Sequence, residues 1–389
     1  MNESRNVAIV GYGETKITLR GGRSAYELAA DVFDEILRQT GFDRSEIDGL
    51  AVAETISETA NPFWPAYMAD MLGLTPTWLE CLALGGVSSV GGVARAIAAI
   101  EAGFCSTVLV LSADSQSSKN QSEQGGQRHE FQYPIGLKGP VGAFGLLTRR
   151  YQHLHQLDPL ALAKLAVTQR KHALLNPNAC DKLQVPLSEQ DYLASRFVSD
   201  PVRILDSVMV CDGANGILLT TKKNIRSKGI AKFVVPTAYA EITNFEAFNP
   251  AAEITETGFK VAGPKALASA RLKTRDVCMF HPYDDFLIAI LLQMEQIGFC
   301  SDGEGSRFIK ETNLSFDGDL PLNTGGGQIS AGQPGLAGGG LNLVEAIRQM
   351  FGEAGSRQVG KTRNAVVTGI GVIPIGRNWS SSAVLVLEQ

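Results

Sequence analysis

The sequence predicts an internally duplicated α/β fold, and two glycine-rich segments indicate it. The first glycine segment (residues 85–92) and the second glycine segment (residues 323–340) each lead into an amphipathic helix pattern and then into a strand-like run. Glycine permits positive φ and a close approach of the backbone to another group. A unit of glycine loop, helix and strand that occurs twice predicts two similar halves. We expect both segments to lie at a functional site.

The other elements follow from the spacing of apolar residues. A short apolar run at residues 7–10 predicts the first strand, and residues 25–40 have a helical period that ends at Gly41. Further strands are predicted from β-branched and aliphatic runs at residues 48–53, 107–111, 206–220 and 364–368. Between residues 114 and 200 the sequence is more polar, with one helical pattern at 160–175, which predicts an inserted loop domain.

Length and charge limit the classes of protein that this chain can represent. With 389 residues and 44% hydrophobic content, the chain exceeds one ordinary core. We therefore expect an N-terminal half at residues 1–235, with the loop domain (about 114–200) inserted, and a C-terminal half at 236–389. Charged residues make up 19% and the net charge is −5, which offers no basic field for nucleic acid.

Cysteine usage and the apolar stretches predict a location. The six cysteines form no CxxC motif and no His/Cys pair at ligand spacing, so we expect no metal site and reduced thiols. The N-terminus lacks the apolar region of a signal peptide, and no stretch approaches a membrane span. These features predict a cytoplasmic protein without a membrane span.

Three segments carry a resemblance to a known superfamily. They are Asp212-Gly213-Ala214, the run from Tyr283 to Cys300, and residues 323–334. In combination, and in order over nearly the whole chain, they resemble the thiolase superfamily, most closely its sterol-carrier-protein-associated branch. The resemblance implies the thiolase fold, with two βαβαβαββ halves related by a pseudo-twofold axis and stacked in five layers. It also implies a loop domain between the halves and at least a homodimer.

The positions that react in thiolases are changed in this chain. Gly86 stands where the family has its nucleophilic cysteine, and Gln333 replaces the histidine that activates that cysteine. Tyr283 replaces the family's histidine or asparagine that helps to hold the thioester oxygen. The position of the family's late cysteine falls near Thr368, beside Gly369. Neither glycine nor glutamine can accept an acyl chain covalently. We therefore expect no thiolase reaction through an acyl-enzyme.

Tyr283 is the candidate for proton transfer. A tyrosine with an unperturbed pKa of about 10 is a better proton donor than base at neutral pH; the alternative is a tyrosine that packs at the start of the following helix. The resemblance extends to cysteine-free members that cleave steroid side-chain β-hydroxyacyl-CoA by a retro-aldol reaction with tyrosines at positions 283 and 333. Gln333 can orient substrate but cannot act as a base. His281 would share a face with Tyr283 in an extended segment, and a structural role is equally consistent.

Ser88 and Ser89 begin the helix after the first glycine segment. We favour helix capping for them, and the alternative is that their amides bind a carbonyl or enolate oxygen. The predicted oxyanion and substrate pocket then consists of Gly86, Ser88, Ser89, Thr368 and Gly369. Asp284 and Asp285 are predicted to cap the helix that follows them, rather than to act as acid or base.

Cations in the predicted loop domain are candidates for binding coenzyme A, because thiolases cover coenzyme A there. The alternative for such residues is a solvated helix face. The candidates are Arg149, Arg150, Lys171 and His172.

Two functions are consistent with these residues. The first is retro-aldol cleavage of a β-hydroxyacyl-CoA by a carbon–carbon lyase, without a covalent intermediate. The second is a thiolase-like acyltransferase or a non-catalytic subunit that binds acyl-CoA. The resemblance implies a small OB-fold zinc-ribbon partner protein and a coenzyme A thioester as substrate, and we expect no cofactor.

Overall fold

The computed structural model describes residues 6–58, 61–119, 133–137, 139–249, 252–372 and 379–389. Its strands are β1 (Val7–Glu14), β2 (Gly49–Ala53), β3 (Trp78–Leu82), β4 (Thr107–Asp114), β5 (Phe197–Ser199), β6 (Val202–Arg203), β7 (Gly213–Thr221), β8 (Val235–Thr243), β9 (Phe280–His281), β10 (Asn364–Gly371) and β11 (Ser381–Glu388). Its helices are α1 (Ala25–Thr40), α2 (Trp64–Met71), α3 (Ser88–Glu101), α4 (Gly139–His155), α5 (Pro159–Ala173), α6 (Glu189–Ala194), α7 (Lys222–Lys228), α8 (Phe259–Ser269), α9 (Leu287–Ile297), α10 (Gly305–Glu311), α11 (Gly327–Ala331) and α12 (Gly338–Phe351).

Two mixed sheets form the body, and each takes its strands from one part of the chain. The first sheet has the order β1-β7-β4-β2-β3, and the second has the order β8-β11-β10-β9. In the first sheet β2 is parallel to β3 and β4, while β7 is antiparallel to β1 and β4. In the second sheet β11 is antiparallel to β8 and β10, and β9 is parallel to β10. A division of the chain at residue 235 and a superposition of the two halves remain predictions.

Helices cover both faces of each sheet. Helices α3 and α12 lie between the sheets, in an apolar core that both sheets share. Helices α1 and α2 pack on the outer face of the first sheet, and α4, α5, α8 and α9 pack on the outer face of the second. The order of layers is therefore helix, sheet, helix, sheet, helix, as the sequence predicted for a thiolase fold.

The predicted strand at residues 206–220 is shorter in the structure. Strand β7 begins at Gly213, because the residues before it bond to the second glycine segment and not to the sheet. The Cys211 amide donates to the Gln333 carbonyl over 2.7 Å, and the Gln333 amide donates to the Met209 carbonyl over 2.9 Å. This backbone exchange fixes the position of Gln333.

Two expectations concern spans and metals. No helix in the described ranges combines the length and apolar character needed to cross a membrane. Within the same ranges, no group of three or more His, Cys, Asp or Glu side chains is arranged to hold a metal ion.

Candidate active site

The two glycine segments meet at Gly86, which has no space for a side chain. A Cβ atom at Gly86 would lie 2.0 Å from Cε2 of Tyr283 and 2.6 Å from the carbonyl oxygen of Ile370. A Cβ at Gly339 would lie 2.3 Å from the Gly86 carbonyl oxygen, and one at Gly369 would lie 2.8 Å from it. The Tyr283 ring therefore fills the volume that a side chain at position 86 would need.

Tyr283 and Gln333 are brought together as the sequence predicted. The Gln333 side-chain amide donates to the Tyr283 hydroxyl over 3.4 Å and to Gln328 Oε1 over 3.1 Å. Tyr283 is buried, and this burial raises the pKa of its phenol well above the ordinary value, with the charge of Asp285 adding to the effect. The phenol is therefore protonated at neutral pH, and its oxygen accepts the bond from Gln333.

Thr368 positions Tyr283 through the backbone. The Tyr283 amide donates to Thr368 Oγ1 over 2.8 Å, and Thr368 in turn donates to Gln293 Oε1. The Gln293 side-chain amide donates to the Tyr283 carbonyl over 2.8 Å. Gln293 was missed from the sequence; the available signal was a polar residue directly after the apolar run 287–292 in helix α9, where it is fully buried. The Thr368 hydroxyl is used in this network and does not line the pocket as predicted.

Asp284 anchors the second glycine segment. It accepts hydrogen bonds from the amides of Gln328 (3.0 Å) and Ile329 (3.1 Å) and from the Asn342 side chain (3.1 Å). Asp284 therefore caps α11, whereas the N-cap of α9 is Phe286 without a side-chain bond. This corrects the prediction that Asp284 caps the helix directly after it. Burial raises the pKa of Asp284 to about 7, against the lowering effect of these donors.

Asp285 differs from its neighbour in that one of its two carboxylate oxygens has no partner. Its Oδ1 atom is buried without a hydrogen-bond partner in the described part of the chain, although the residue as a whole is partly exposed. Burial, with the charge of Asp284 adding, raises the pKa of Asp285 to about 8. It caps no helix in the structure, so the sequence interpretation of Asp285 was also wrong.

The hydroxyls of Ser88 and Ser89 are both bonded to other parts of the chain. The Ser88 hydroxyl donates to the Leu82 carbonyl over 3.0 Å, and the Ser88 amide donates to the Gly85 carbonyl. The Ser89 hydroxyl lies 3.2 Å from the hydroxyl of Ser112. The N-cap of α3 is Val87, without a side-chain bond. A short 3₁₀ turn precedes α3, so both serines lie inside helical structure, and neither caps the helix as predicted.

His281 is buried beside the site without a bond to it. Neither ring nitrogen has a hydrogen-bond partner among the described residues, and burial lowers the pKa of His281 to about 4. His281 lies on β9, where it pairs with Val367. It is therefore a neutral side chain, and within the described ranges it has no hydrogen bond to Tyr283 or Gln333.

The cations proposed to bind coenzyme A are dispersed. Arg149 and Arg150 form ion pairs with Asp200 (2.8 Å) and Glu253 (2.7 Å), and Lys171 is exposed. His172 is buried: Nε2 accepts from the Phe316 amide over 3.1 Å, and Nδ1 lies 3.3 Å from the Asn323 carbonyl oxygen. The prediction for His172 is thus corrected, because a buried neutral ring cannot bind a phosphate.

The six cysteines are all free thiols. Burial raises the pKa of Cys105 to about 11 and that of Cys300 to about 12, and it also raises the pKa of Cys81. A nucleophilic cysteine requires a lowered pKa. None of these three thiols is therefore activated.

Comparison with known proteins agrees with this geometry. Residues 240–389 match the family described as Thiolase C-terminal domain-like. A 17-hydroxy-3-oxo-4-pregnene-20-carboxyl-CoA lyase of Mycobacterium tuberculosis is 28% identical over 387 residues, covering 95% of this chain and 97% of the relative. A steroid side-chain-cleaving aldolase of Thermomonospora curvata is 28% identical, covering 94% of this chain and 95% of the relative. The solved structure of the Ltp2-ChsH2(DUF35) aldolase has a TM-score of 0.84 at 26% identity, covering 98% of this chain and 97% of that one.

Proposed function

We propose that this chain, which has the thiolase fold, cleaves a β-hydroxyacyl-CoA by a retro-aldol reaction, without a covalent acyl-enzyme. The observation that carries the proposal is the contact between Gly86 and Tyr283. A cysteine at position 86 would overlap the tyrosine ring, since even its Cβ atom would lie 2.0 Å from Cε2. The position of the thiolase nucleophile is occupied by a proton donor.

The chemistry of the site fits a reaction through an enolate. In a retro-aldol cleavage the β-hydroxyl loses its proton, the Cα–Cβ bond breaks, and the enolate of the shorter acyl-CoA is protonated at Cα. Tyr283 is a neutral phenol in a buried site, so it can supply that proton. Gln333 donates to the phenol oxygen and keeps the ring in place. The relatives named as a lyase and as an aldolase support this reaction class.

We further propose that the chain acts in the cytoplasm as a homodimer with a small OB-fold zinc-ribbon partner protein. The two-component name of the Ltp2-ChsH2(DUF35) aldolase supports a partner. Arg149 and Arg150 are each engaged in an exposed ion pair. They therefore do not form a cluster of free cations that could bind the phosphates of coenzyme A. A partner protein that completes the coenzyme A site would supply what this surface lacks.

The test is the variant Tyr283→Phe, assayed as the complex with the partner. Loss of the donor is expected to lower turnover of a β-hydroxyacyl-CoA by about 10²–10⁴-fold, the usual range for one proton-transfer group. A suitable probe is 17-hydroxy-3-oxo-4-pregnene-20-carboxyl-CoA, the thioester named for the Mycobacterium relative. Turnover is followed by chromatography of the released products.

The matched control is Tyr151→Phe. Tyr151 is also buried, and its hydroxyl donates to the carboxylate of Glu295, on α9, over 2.5 Å. The variant therefore loses a buried, hydrogen-bonded hydroxyl without changing the contact at Gly86. We expect a stability loss but normal turnover per folded molecule. Full activity of Tyr283→Phe would show that the tyrosine only packs against Gly86.

A non-catalytic acyl-CoA-binding subunit is the second candidate, because Gln333 cannot titrate. Under that function the wild-type complex binds the thioester but releases no cleavage product. Intact mass measurement after incubation separates both candidates from an acyltransferase, for which a cysteine would gain the acyl mass. We expect no such increase.

A further inference from the structure

The retro-aldol reaction requires a base, and the residues considered so far do not supply one. Tyr283 is held in its protonated form by burial, and Gln333 does not titrate. His281 has no hydrogen bond to either. The group that removes the proton from the β-hydroxyl must therefore be a different side chain near Tyr283.

Four carboxylates lie around the second glycine segment. Glu345 is paired with Arg348 and Arg357, and two of the other three are also satisfied. Asp114 accepts from the amides of Ile56 (2.9 Å), Ser57 (3.0 Å) and Leu336 (3.0 Å). Asp284 accepts the three donors described above. A carboxylate whose oxygens accept several amide bonds is a poor base, because those bonds stabilise its charge. Only the third carboxylate, Asp285, has a buried oxygen atom without a partner in the described chain.

The position of Asp285 is suited to contact with substrate. It lies two residues after Tyr283, in the short connection between β9 and α9 that carries both side chains. The Asp285 carbonyl is fixed by the Val208 amide over 3.2 Å, on the same stretch that holds Gln333. The residue as a whole is partly exposed, unlike fully buried Asp284.

We propose that Asp285 is the general base of the retro-aldol reaction, an inference that rests on the proposed function. The carboxylate takes the proton of the β-hydroxyl, and the electron pair of that O–H bond forms the new carbonyl. The pair of the Cα–Cβ bond moves into the enolate. Tyr283 gives its proton to Cα, and the protonated Asp285 returns a proton to the phenolate. The net change is one proton moved from the hydroxyl to Cα, so both residues end as they began.

The experiment is Asp285→Asn, assayed in the complex with the same thioester. The amide has the same shape but cannot accept the proton, so kcat is expected to fall by about 10²–10⁴-fold with KM changed only a few-fold. Removing a buried carboxylate without a partner is expected to leave the melting temperature unchanged or raised. Asp31→Asn is the matched control, since Asp31 lies on α1 in an exposed ion pair with Arg23.

A pH profile gives a second reading. The wild-type rate is expected to rise as pH increases through about 8, because the base acts in its ionised form, and the Asn variant should lose this rise. The titratable neighbours of Asp285 are Tyr283 and Asp284, in the same connection. Residues 207–209, which pack against this connection, include no titratable side chain. The second glycine segment contributes only the neutral side-chain amides of Gln328 and Gln333.

The outcomes separate this inference from the proposed function. Full activity of Asp285→Asn, or a loss that only follows a lowered melting temperature, overturns the role of Asp285 while the cleavage reaction stands. If the wild-type complex cleaves no β-hydroxyacyl-CoA, the proposed function fails and the inference fails with it. A large loss of kcat in a stable variant, with a flat pH profile, supports it.

Discussion

The first and the second glycine segments both lead into a helix of the central layer, but different forces hold them. The first is held by contact, because Gly86 lies against the Tyr283 ring and the Ile370 carbonyl with no space for a side chain. The second is held by charge, since Asp284 and Asp114 accept its backbone amides. The first glycine segment determines which reaction is excluded, and the second glycine segment determines where Gln333 lies.

The largest effect on this comparison is expected from Gly86→Ala. The added methyl group would lie 2.0 Å from the tyrosine ring, so the ring must move. Overpacking of this kind typically costs about 1–3 kcal/mol. Because the donor is displaced, we also expect a turnover loss comparable to that of Tyr283→Phe. Denaturant unfolding and the cleavage assay measure the two effects.

Gly360→Ala is the control for the glycine substitution itself. No atom lies within 4 Å of a Cβ built at Gly360, and its φ is not positive, so alanine fits there. We expect stability and turnover close to wild type. If Gly86→Ala behaved like Gly360→Ala, the first segment would not be held by contact.

A smaller effect is expected from Asp284→Asn, which tests how the second glycine segment is held. The variant keeps one acceptor oxygen but brings amide protons toward the amides of Gln328 and Ile329. A buried donor left without a partner costs about 1–3 kcal/mol. Unfolding by denaturant should show this loss, and amide hydrogen exchange should increase in α11. Unchanged protection of the Gln328 and Ile329 amides would show that Asp284 does not anchor the segment.

The sequence predicted the parts of the fold that depend on local patterns. Helix α1 begins at the capping box of Ser24 and Glu27 and ends at Gly41, whose φ is 68°. The catalytic roles of Tyr283 and Gln333 were assigned from the resemblance and not from spacing, and they stay predictions. The thiolase fold and the relative named as a steroid side-chain-cleaving aldolase agree with the resemblance.

The side-chain partners were not predictable from neighbouring residues, because they come from distant parts of the chain. Asp284 bonds to Gln328, 44 positions away, and not to the helix that follows it. The Ser89 hydroxyl meets Ser112, and His172 meets Phe316. A capping residue and a carboxylate that anchors another loop have the same local sequence signature. Only the packed structure distinguishes them. For the same reason, the unpaired oxygen of Asp285 could not be predicted from the sequence.

The smallest effect is expected from Ser89→Ala, which sharpens the comparison at the first segment. Among the described residues, the Ser89 hydroxyl bonds only to the Ser112 hydroxyl on β4, over 3.2 Å, so its removal should cost about 1 kcal/mol of stability. Turnover should be unchanged, because this hydroxyl is bonded to β4. Thr107→Val removes a buried hydroxyl that pairs with Thr220 at 2.9 Å and also accepts from the Asn224 side chain, so its stability loss should be at least as large. A hundred-fold loss of turnover in Ser89→Ala at unchanged stability would return Ser89 to the substrate pocket. The first glycine segment would then bond to the substrate, in addition to leaving room for the Tyr283 ring at Gly86.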